Sequence, residues 1–524
     1  MGLYLNPGHG NFREMTEGTD YVDKTMMIAS VNRLMESGSK YLCVSRPRRF
    51  GKTMAGNMLC AYYCKGSDCT ELFAPYKISA DPSFEEKRNR YHVIKLDINS
   101  EYQNISNKNH LIYEMSEAVK EEMREQFSDI EFRDGDSLAQ SILRIFRATG
   151  EQFVIILDEY DVLVREQVDE ELFANFLGFL NGLFKSDTMR PAIGLAYLTG
   201  ILPVVRDKVQ SKLNNFEEYT ILDAMELAEF VGFTEPEVQT LCEKHDMDFE
   251  ECRRWYDGYR QRGYDIYNPE SVIKSIRHGE FDNYWSMTSS YLVISDYIQR
   301  NFAGTRDAVI RMLAGESVDV DKGMFLNTLG DFRDRNEVFT YLMHLGYLAY
   351  RKEDKTCHIP NKEVREEWMR AVSIMDDYEV TNRIIQASKQ LLSDTIRGDE
   401  PAVAAALDTS HIHVTSNRSY NNEDALQSAI YLAYIYALNQ YTVIREMTSG
   451  RGFADVVFIP FVEHLPAMVI ELKRNGSADS AIDQIRQKRY FESLAHYQGD
   501  LLFVGINYDE KIKTHDCRIE RFTV

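Results

Sequence analysis

Short and almost uninterrupted apolar runs alternate with helical patterns over the first two hundred residues. Four of these runs have the length of strands, at residues 40–45, 91–98, 153–158 and 194–200. Runs without polar alternation are typical of strands that are buried on both faces. The pattern therefore predicts a parallel sheet with helices on both sides.

The hydrophobic pattern changes twice further along the chain. Residues 226–394 place Leu, Tyr and charged residues at helical spacing, and we expect a helical region without a sheet there. Beyond it we predict, in order, a helix, three strands, a helix and a strand, at residues 429–438, 441–447, 453–459, 467–472, 479–497 and 501–506. The fold class is therefore α/β, in three predicted parts at residues 1–225, 226–395 and 396–524.

Composition restricts the classes of partner and compartment. The chain has 524 residues, of which 44% are hydrophobic and 27% charged, as in globular proteins. Its net charge of -22 gives no overall attraction to nucleic acid, so such contacts require local basic patches. Eight cysteines without a C-x-x-C pair indicate free thiols in the cytoplasm. The longest uncharged run, 425–444, contains Gln427 and Asn439 and predicts no membrane span.

The segment SRPRRFGKTM at residues 45–54 ends like a phosphate-binding loop. A strand, a turn and then a helix opened by G-K-T is the context that this motif requires. Backbone amides at the helix N-terminus hold phosphate, the lysine neutralises charge and the threonine can ligate magnesium. Arg46 replaces the usual first glycine, and the arginines of the loop could contact phosphate themselves. The candidate nucleotide-binding residues are Arg48, Arg49, Phe50, Gly51, Lys52 and Thr53.

A second acidic motif follows in the expected order. The strand at 153–158 ends in Asp158 and Glu159, where the first acid would orient magnesium and the second would polarise the attacking water. The run at 91–98 suggests the ATPase class that inserts a strand between the two motifs, and Thr199 could reach the γ-phosphate. The alternative is a chance G-K-T and an acidic pair that caps a helix, but the order of the two motifs favours a nucleotide site.

The last part of the chain contains two carboxylates and a lysine at strand positions. Asp455 lies in one predicted strand, and Glu471 and Lys473 project to the same side of the next because they are two residues apart. Pairing of the two strands would bring the three side chains together. Such a group suits Mg²⁺ or Mn²⁺ and a phosphodiester, since the acids hold the metal and the lysine steadies developing charge.

Further residues could complete this centre. Glu423 is a candidate third metal ligand, and Gln484, Lys488 and Tyr490 could orient a nucleic acid beside the basic run RQKRY. The alternative is an edge hairpin with a solvated Glu/Lys pair, but the order of helices and strands favours the metal centre. The predicted metal ligands are Thr53 and Asp158 in the first site and Glu423, Asp455 and Glu471 in the second.

A co-linear set of motifs gives the chain a family resemblance over nearly its whole length. It resembles bacterial proteins that join an AAA-ATPase-like N-terminal domain to a C-terminal PD-(D/E)XK nuclease-superfamily domain. The motifs are YVDKT (21–25), RPRRFGKT (46–53), ILDEYD (156–161), YLTGIL (197–202), LNNFEEYT (213–220), GFTEPEV (232–238), WYDGY (255–259), YNPESV (267–272), GRGFADVVF and VIELK. An arginine-rich loop is usual in that family, so the resemblance implies an ATP site despite Arg46.

The resemblance implies two sets of site residues. Mg-ATP would be bound by Lys52, Thr53, Asp158 and Glu159, and the nuclease-like centre would consist of Glu423, Asp455, Glu471 and Lys473. The leading hypothesis is an ATP-regulated, metal-dependent nuclease with Glu159, Asp455, Glu471 and Lys473 as its catalytic residues.

Other hypotheses stay open at this point. One is an ATP-dependent switch or scaffold whose nuclease-like domain binds nucleic acid or protein without cutting, and another keeps only an ATPase that changes a partner's conformation. AAA-like domains often complete their ATP sites across a subunit interface, so a homo-oligomer is an expectation of the resemblance.

Overall fold

The computed structural model describes most of the chain. The described residues are 2–18, 20–203, 213–285, 292–300, 302–313, 315–325, 332–373, 379–414, 430, 433–449, 452–460, 462, 464–488 and 499–522. They form two compact units, one from Met1–Ala308 with Ser317–Glu367 and the other from Val309–Glu316 with Trp368–Val524. Within these residues, no helix combines the length and the apolar character needed to cross a membrane.

The first unit contains a five-stranded parallel sheet. Its strands are β1 (Tyr41–Ser45), β2 (His92–Asp97), β3 (Phe153–Asp158), β4 (Ile193–Gly200) and β5 (Glu217–Tyr219). The spatial order is β2-β3-β4-β1-β5, with every neighbouring pair parallel. The four predicted strands are confirmed, whereas the three-residue β5 was not predicted.

The order of the strands corrects one expectation. The strand inserted between β1 and β3 is β4, and not the run at 91–98, which forms the edge strand β2. After β3 the chain passes through two helices, Val162–Arg165 and Glu170–Phe184, and β4 then pairs with β3 on one side and β1 on the other. A position between two motifs in the sequence therefore did not predict a position between them in the sheet.

Helices surround this sheet, at Gly10–Thr16, Met26–Ser37, Lys52–Tyr63, Thr70–Phe73, Phe84–Lys87, Ile98–Asn104, Leu111–Gln126, Leu138–Thr149, Val162–Arg165 and Glu170–Phe184. Local sequence explains their limits. Helix Leu138–Thr149 begins with a capping box between Ser137 and Gln140 and ends at Gly150, whose φ of 73° suits glycine. Its buried face packs into an apolar core that includes Ile142, and burial of such side chains stabilises each by about 1.5–3 kcal/mol.

The middle region is mostly helical, as predicted, but it also contains short strands. Its helices are Glu235–Lys244, Phe249–Tyr256, Pro269–His278, Leu292–Ile298, Thr305–Leu313, Arg335–Leu345 and Lys362–Ser373. Its strands are β6 (Phe233–Thr234), β7 (Tyr259–Gln261), β8 (Tyr264–Tyr267), β9 (Val318–Asp319), β10 (Ala349–Arg351) and β11 (Thr356–His358). They form two antiparallel sheets, β6-β8-β7 and β10-β11-β9. The expectation of no sheet was wrong because strands of two to four residues are too short to show an alternating pattern.

The second unit contains a mixed five-stranded sheet in sequential order. Its strands are β12 (Tyr441–Ser449), β13 (Gly452–Pro460), β14 (Ala467–Arg474), β15 (Leu501–Asp509) and β16 (Thr514–Phe522). Only β14 and β15 pair in parallel, and helix Ala478–Lys488 lies between them in the chain. Its other long helices are Glu379–Arg397 and Glu400–Val414. An apolar core lies between helix Ala478–Lys488 and the sheet, and it includes Val469, Ile482 and Phe503.

The C-terminal predictions agree in type and differ in extent. All four predicted strands are present, and β16 is an additional edge strand. The predicted helix at 479–497 is observed over Ala478–Lys488, and residues 489–498 lie outside the described residues. Of the predicted helix at 429–438, residues 429, 431 and 432 lie outside the described residues, and most of the described part is a 3-10 helix at Ile435–Asn439. The α/β fold class with a parallel N-terminal sheet and a helical middle region is confirmed.

Candidate functional site

The loop between β1 and helix Lys52–Tyr63 has the backbone of a phosphate cradle. Gly51 caps the helix at its N-terminus with a φ of 89°, and Arg49 has a φ of 69°. Few residues other than glycine adopt positive φ, and a loop held in this form turns the first amides of the helix outward. Such amides bind anions without any further group.

A cavity of about 790 Å³ opens in front of this loop. This volume lies within the range of small-molecule sites. The candidate residues that line it are Arg48, Arg49, Phe50, Gly51, Lys52, Thr53 and Glu159. Phe50 is itself buried and packs edge-on against Tyr259 of the middle region, with ring centroids 5.3 Å apart. The structure thus brings all the predicted loop residues to one cavity.

Lys52 is a buried cation at the base of the cavity. Its Nζ donates a hydrogen bond to the carbonyl of Pro47 at 3.0 Å and lies 3.9 Å from Oε1 of Glu159. Burial lowers the pKa of Lys52, while the charges of Glu159 and Asp158 oppose that effect. A phosphate group in the cavity would supply the negative charge that a buried ammonium needs.

Asp158 and Thr199 lie at adjacent strand ends. Asp158 is only 1% exposed and is hydrogen-bonded to the side chain of Thr53. Burial raises the pKa of Asp158 to about 6, the hydrogen bond from Thr53 lowers it, and the charge of Glu159 raises it. The hydroxyl of Thr199 on β4 is buried and has no hydrogen-bond partner among the described residues. The carboxylate and two hydroxyls have the oxygen chemistry that Mg²⁺ and phosphate require.

Arg46 has a different place from the one expected. It is fully buried and does not line the cavity; its Nη1 donates to the carbonyls of Ser45 and Tyr219 at 2.9 and 2.8 Å. Tyr219 ends β5, so the arginine ties the start of the loop to the neighbouring edge strand. Burial lowers the pKa of Arg46 to about 10. The arginine at the first glycine position therefore supports the loop from below and does not face the cavity.

Sequence reasoning missed the opposite wall of the cavity. It is formed by residues of the YVDKT, GFTEPEV and YNPESV motifs and their neighbours, among them Tyr21, Val22, Phe230, Phe233, Ile273 and Arg277. Lys24 joins two of these motifs, since its Nζ donates to Glu237 at 2.5 Å and to the carbonyl of Glu229 at 2.6 Å. These motifs carried the family resemblance, and that was the signal that could have placed them at the site.

The C-terminal candidates meet on neighbouring strands. Val456 pairs with Ile470, which brings Asp455 beside the end of β14, where its Oδ2 accepts a hydrogen bond from the amide of Leu472 at 2.7 Å. On β14, Nζ of Lys473 lies 3.3 Å from Oε1 of Glu471.

Helix Ala478–Lys488 adds Gln484 to this cluster. Oε1 of Gln484 accepts a hydrogen bond from Lys473 at 2.6 Å, and its Nε2 donates to Glu471. Asp455, Glu471, Lys473 and Gln484 are therefore together in the structure.

Glu471 is the buried acid of this cluster, at 2% exposure. Burial raises its pKa to about 7, the charge of Asp455 adds to the rise, and Lys473 and Lys488 oppose it. Its Oε2 has no hydrogen-bond partner among the described residues. An unpartnered buried carboxylate oxygen beside a second acid fits a divalent cation, although no set of three or more His, Cys, Asp and Glu suited to a metal occurs in the described part of the chain. Glu423 and Tyr490 lie outside the described residues.

Comparisons with known proteins match two regions of the chain. Residues 7–210 match the family described as predicted AAA-ATPase, and residues 421–517 match the PD-(D/E)XK nuclease superfamily. Among curated proteins, the "Uncharacterized protein in vnfD 5'region" of Azotobacter chroococcum mcd 1 is similar. It is 23% identical over 540 residues, which cover 96% of this chain and 95% of that protein.

Solved structures give weaker similarities. The structure of C. elegans PCH-2 is 14% identical with a TM-score of 0.24, covering 48% of this chain and 54% of its own. The Aeropyrum pernix ORC2 protein in ADPNP-ADP complexes is 11% identical with a TM-score of 0.27, covering 71% of this chain and 99% of its own. The fold assignment accordingly rests on the strand order. With the two family matches, the chain is shown to join a domain of the predicted AAA-ATPase family to a domain of the PD-(D/E)XK nuclease superfamily.

Proposed function

We propose that the first unit binds and hydrolyses ATP with Mg²⁺ in the cavity at the phosphate loop. The observation that carries this proposal is the meeting of Lys52, Thr53 and Glu159 at one cavity, with Asp158 hydrogen-bonded to Thr53 below it. The order β3-β4-β1 supports it, because the acidic pair and the loop then flank β4, whose last residue but one is Thr199.

In this proposal each residue has a separate task. The amides of Gly51, Lys52 and Thr53 hold the β- and γ-phosphates. Nζ of Lys52 leaves the carboxylate of Glu159 and donates to a phosphate oxygen. Thr53 and Asp158 would hold Mg²⁺, which neutralises phosphate charge when bound. Glu159 takes a proton from the attacking water, and the unpartnered hydroxyl of Thr199 donates to the γ-phosphate.

We propose that the second unit cleaves phosphodiester bonds of a nucleic acid. The support is the convergence of Asp455, Glu471 and Lys473 on two paired strands. Asp455 and Glu471 would hold Mg²⁺ or Mn²⁺, with Glu423 as a proposed third ligand, and the metal would lower the pKa of its water. Lys473 then stabilises the charge that develops on phosphate, and Gln484 orients Lys473 by accepting its hydrogen bond.

The proposed substrate and compartment rest on charge and thiols. Lys488 ends helix Ala478–Lys488, and its charge acts on the carboxylate of Glu471. Together with the proposed contact Tyr490, this positive charge favours a polyanion as the substrate. All eight cysteines are free thiols, which supports a reducing cytoplasm. ATP-dependent assembly of several copies is proposed on the family resemblance and is checked by light scattering with and without ATP.

The decisive experiment is cleavage of labelled single- and double-stranded DNA and RNA with Mg²⁺ or Mn²⁺, with and without ATP. The variants are Lys473→Ala for the second unit and Lys52→Met for the first. We expect cutting to vanish in Lys473→Ala while ATP hydrolysis persists. A dependence of cutting on ATP that Lys52→Met removes would couple the two activities.

The opposite result is equally informative. A folded wild-type protein that binds ATP and cuts none of these substrates would contradict the nuclease proposal and favour the ATP-dependent switch or scaffold. Cutting that survives Lys473→Ala would place the nuclease centre elsewhere.

A further inference from the structure

Glu159 is held by two cations in an unusual backbone conformation. Its φ is 50°, a region that few residues other than glycine adopt. One carboxylate oxygen contacts the guanidinium of Arg165, and the other lies 3.9 Å from Nζ of Lys52. The backbone fixes only the direction of the Cα–Cβ bond, so the two contacts determine where the carboxylate points.

Arg165 is itself anchored by a fully buried acid. Nε of Arg165 donates to Oδ2 of Asp161 at 3.2 Å. The same carboxylate oxygen accepts hydrogen bonds from the amides of Ile201 and Leu202 at 3.0 and 2.8 Å. The charges of Asp161 and Glu159 raise the pKa of Arg165 against the effect of burial. Arg165 is therefore a permanent cation between two carboxylates.

These contacts connect Glu159 to the strand at the centre of the site. Ile201 and Leu202 directly follow β4, and Thr199 is near the end of that strand. The amides, Asp161, Arg165 and Glu159 thus form one continuous path of hydrogen bonds. The path fixes the Glu159 carboxylate relative to the strand that separates the loop from the acidic pair.

We propose that Arg165 is a positioning residue, which aims the Glu159 carboxylate at the attacking water. The proposal rests on the ATP hydrolysis proposed above and adds a residue outside both motifs. A displacement of the reacting groups by about 1 Å can cost about 100-fold in rate. When Lys52 binds phosphate in place of Glu159, the contact with Arg165 still holds the Glu159 carboxylate in place. Its loss should therefore slow the chemical step and leave nucleotide binding intact.

The test compares Arg165→Met and Arg165→Lys with the wild type. We expect kcat for ATP hydrolysis to fall about 100-fold in Arg165→Met, while KM and the Kd for ATP change by less than about twofold. Arg165→Lys should recover part of the loss, since an ammonium can hold one carboxylate at a time. The matched control is Arg144→Met, which breaks an ion pair with Asp136 in the same unit but away from the cavity.

Each outcome decides between positioning and another role. An unchanged or raised kcat in Arg165→Met contradicts the proposal, as does a large rise in Kd, which would make Arg165 a nucleotide ligand. If Arg165→Met does not fold, Arg165→Lys provides the test. A kcat of Arg165→Lys equal to that of the wild type would contradict the proposal, because it would show that the guanidinium geometry is not needed. A wild type that binds ATP without ever hydrolysing it contradicts the proposed hydrolysis itself. Normal wild-type hydrolysis with an unaffected variant contradicts only the role of Arg165.

Discussion

The two candidate sites contain the same kinds of residue but differ in how far these residues are already arranged to bind a ligand. In the first unit, Glu159, Thr53 and Lys52 border a cavity of about 790 Å³. In the second unit, the functional groups contact one another, because Lys473 lies against both Glu471 and Gln484. The first arrangement leaves room for a ligand, whereas at the second a metal must first separate Lys473 from Glu471.

The difference follows from what holds each lysine. Lys52 donates to the carbonyl of Pro47, and the loop around it is fixed by the backbone at Gly51. Among the described residues, Lys473 is held by the side chains of Gln484 and of the proposed metal ligand Glu471. A backbone-held site is preorganised and loses little entropy on binding. A cation entering the second site must instead displace the lysine from Glu471 and find that acid deprotonated.

The largest expected effect is the loss of ATP binding in Lys52→Met. Removing a buried charge-assisted contact to phosphate should cost about 3 kcal/mol, or about 100-fold in Kd. The measurement is titration calorimetry with Mg-ATP. The matched control is Lys40→Met. Lys40 directly precedes β1, the strand that leads into the loop, and donates to the carbonyls of Arg190 and Ile193, away from the cavity. An unchanged Kd in folded Lys52→Met would show that nucleotide binds elsewhere.

The second prediction concerns pH and separates the two metal sites. Burial raises the pKa of Asp158 to about 6 and that of Glu471 to about 7. A metal must displace the proton from each acid, so Mn²⁺ affinity should rise up to tenfold per pH unit below each pKa and level off above it. The first site should therefore level off about one pH unit below the second.

The free protein should show the opposite trend in stability. Each folded pKa lies above the value in the unfolded chain, so the folded state binds more protons between the two values. The contribution of each acid to stability is then greatest below its unfolded pKa and declines as pH rises through the folded one. Thermal melts and Mn²⁺ titrations from about pH 5 to 8 check both trends. Glu471→Gln should remove the upper transition and keep the lower one, and two transitions left in this variant would contradict the assignment.

Local patterns predicted which residues meet at each site better than they predicted what surrounds those residues. The loop G-K-T and the pair Asp158-Glu159 are short motifs at the ends of buried strands, and their geometry is set within a few residues. Glu471 and Lys473 share a side of β14 because side chains alternate along a strand. For these residues the sequence pattern alone predicted groups that the structure brings together.

Long-range arrangement was the part that patterns could not predict. The cavity wall opposite the loop combines Val22 with Ile273, which are about 250 residues apart and share no local signal. The identity of the strand between β1 and β3 depends on a crossover, and a linear pattern does not specify its direction. The proposed role of Arg165 could not be predicted from sequence for a related reason. It depends on Asp161, which binds Arg165 and accepts hydrogen bonds from the distant amides of Ile201 and Leu202.

The smallest expected effect tests how open the first site is. Arg49 of the loop donates to Oε1 of Glu270 at 2.8 Å, and both side chains line the cavity. Glu270 also lies 3.2 Å from Lys274. The Glu270 carboxylate repels phosphate and pairs with Arg49, which could otherwise bind phosphate. Glu270→Gln should therefore tighten ATP binding. Exposed ion pairs of this kind are worth about 0.2–1 kcal/mol, which corresponds to a gain of about threefold in affinity.

Salt dependence distinguishes this effect from a change in packing. The gain from Glu270→Gln should shrink as ionic strength increases, because both partners are partly exposed to solvent. Glu243→Gln is the matched control, as Glu243 is an exposed acid on helix Glu235–Lys244 that does not line the cavity. Weaker ATP binding in Glu270→Gln would mean that the Arg49–Glu270 pair shapes the loop for phosphate. In that case the loop would depend on a side-chain contact, as the second site does, and the contrast between the two sites would be smaller than the backbone geometry suggests.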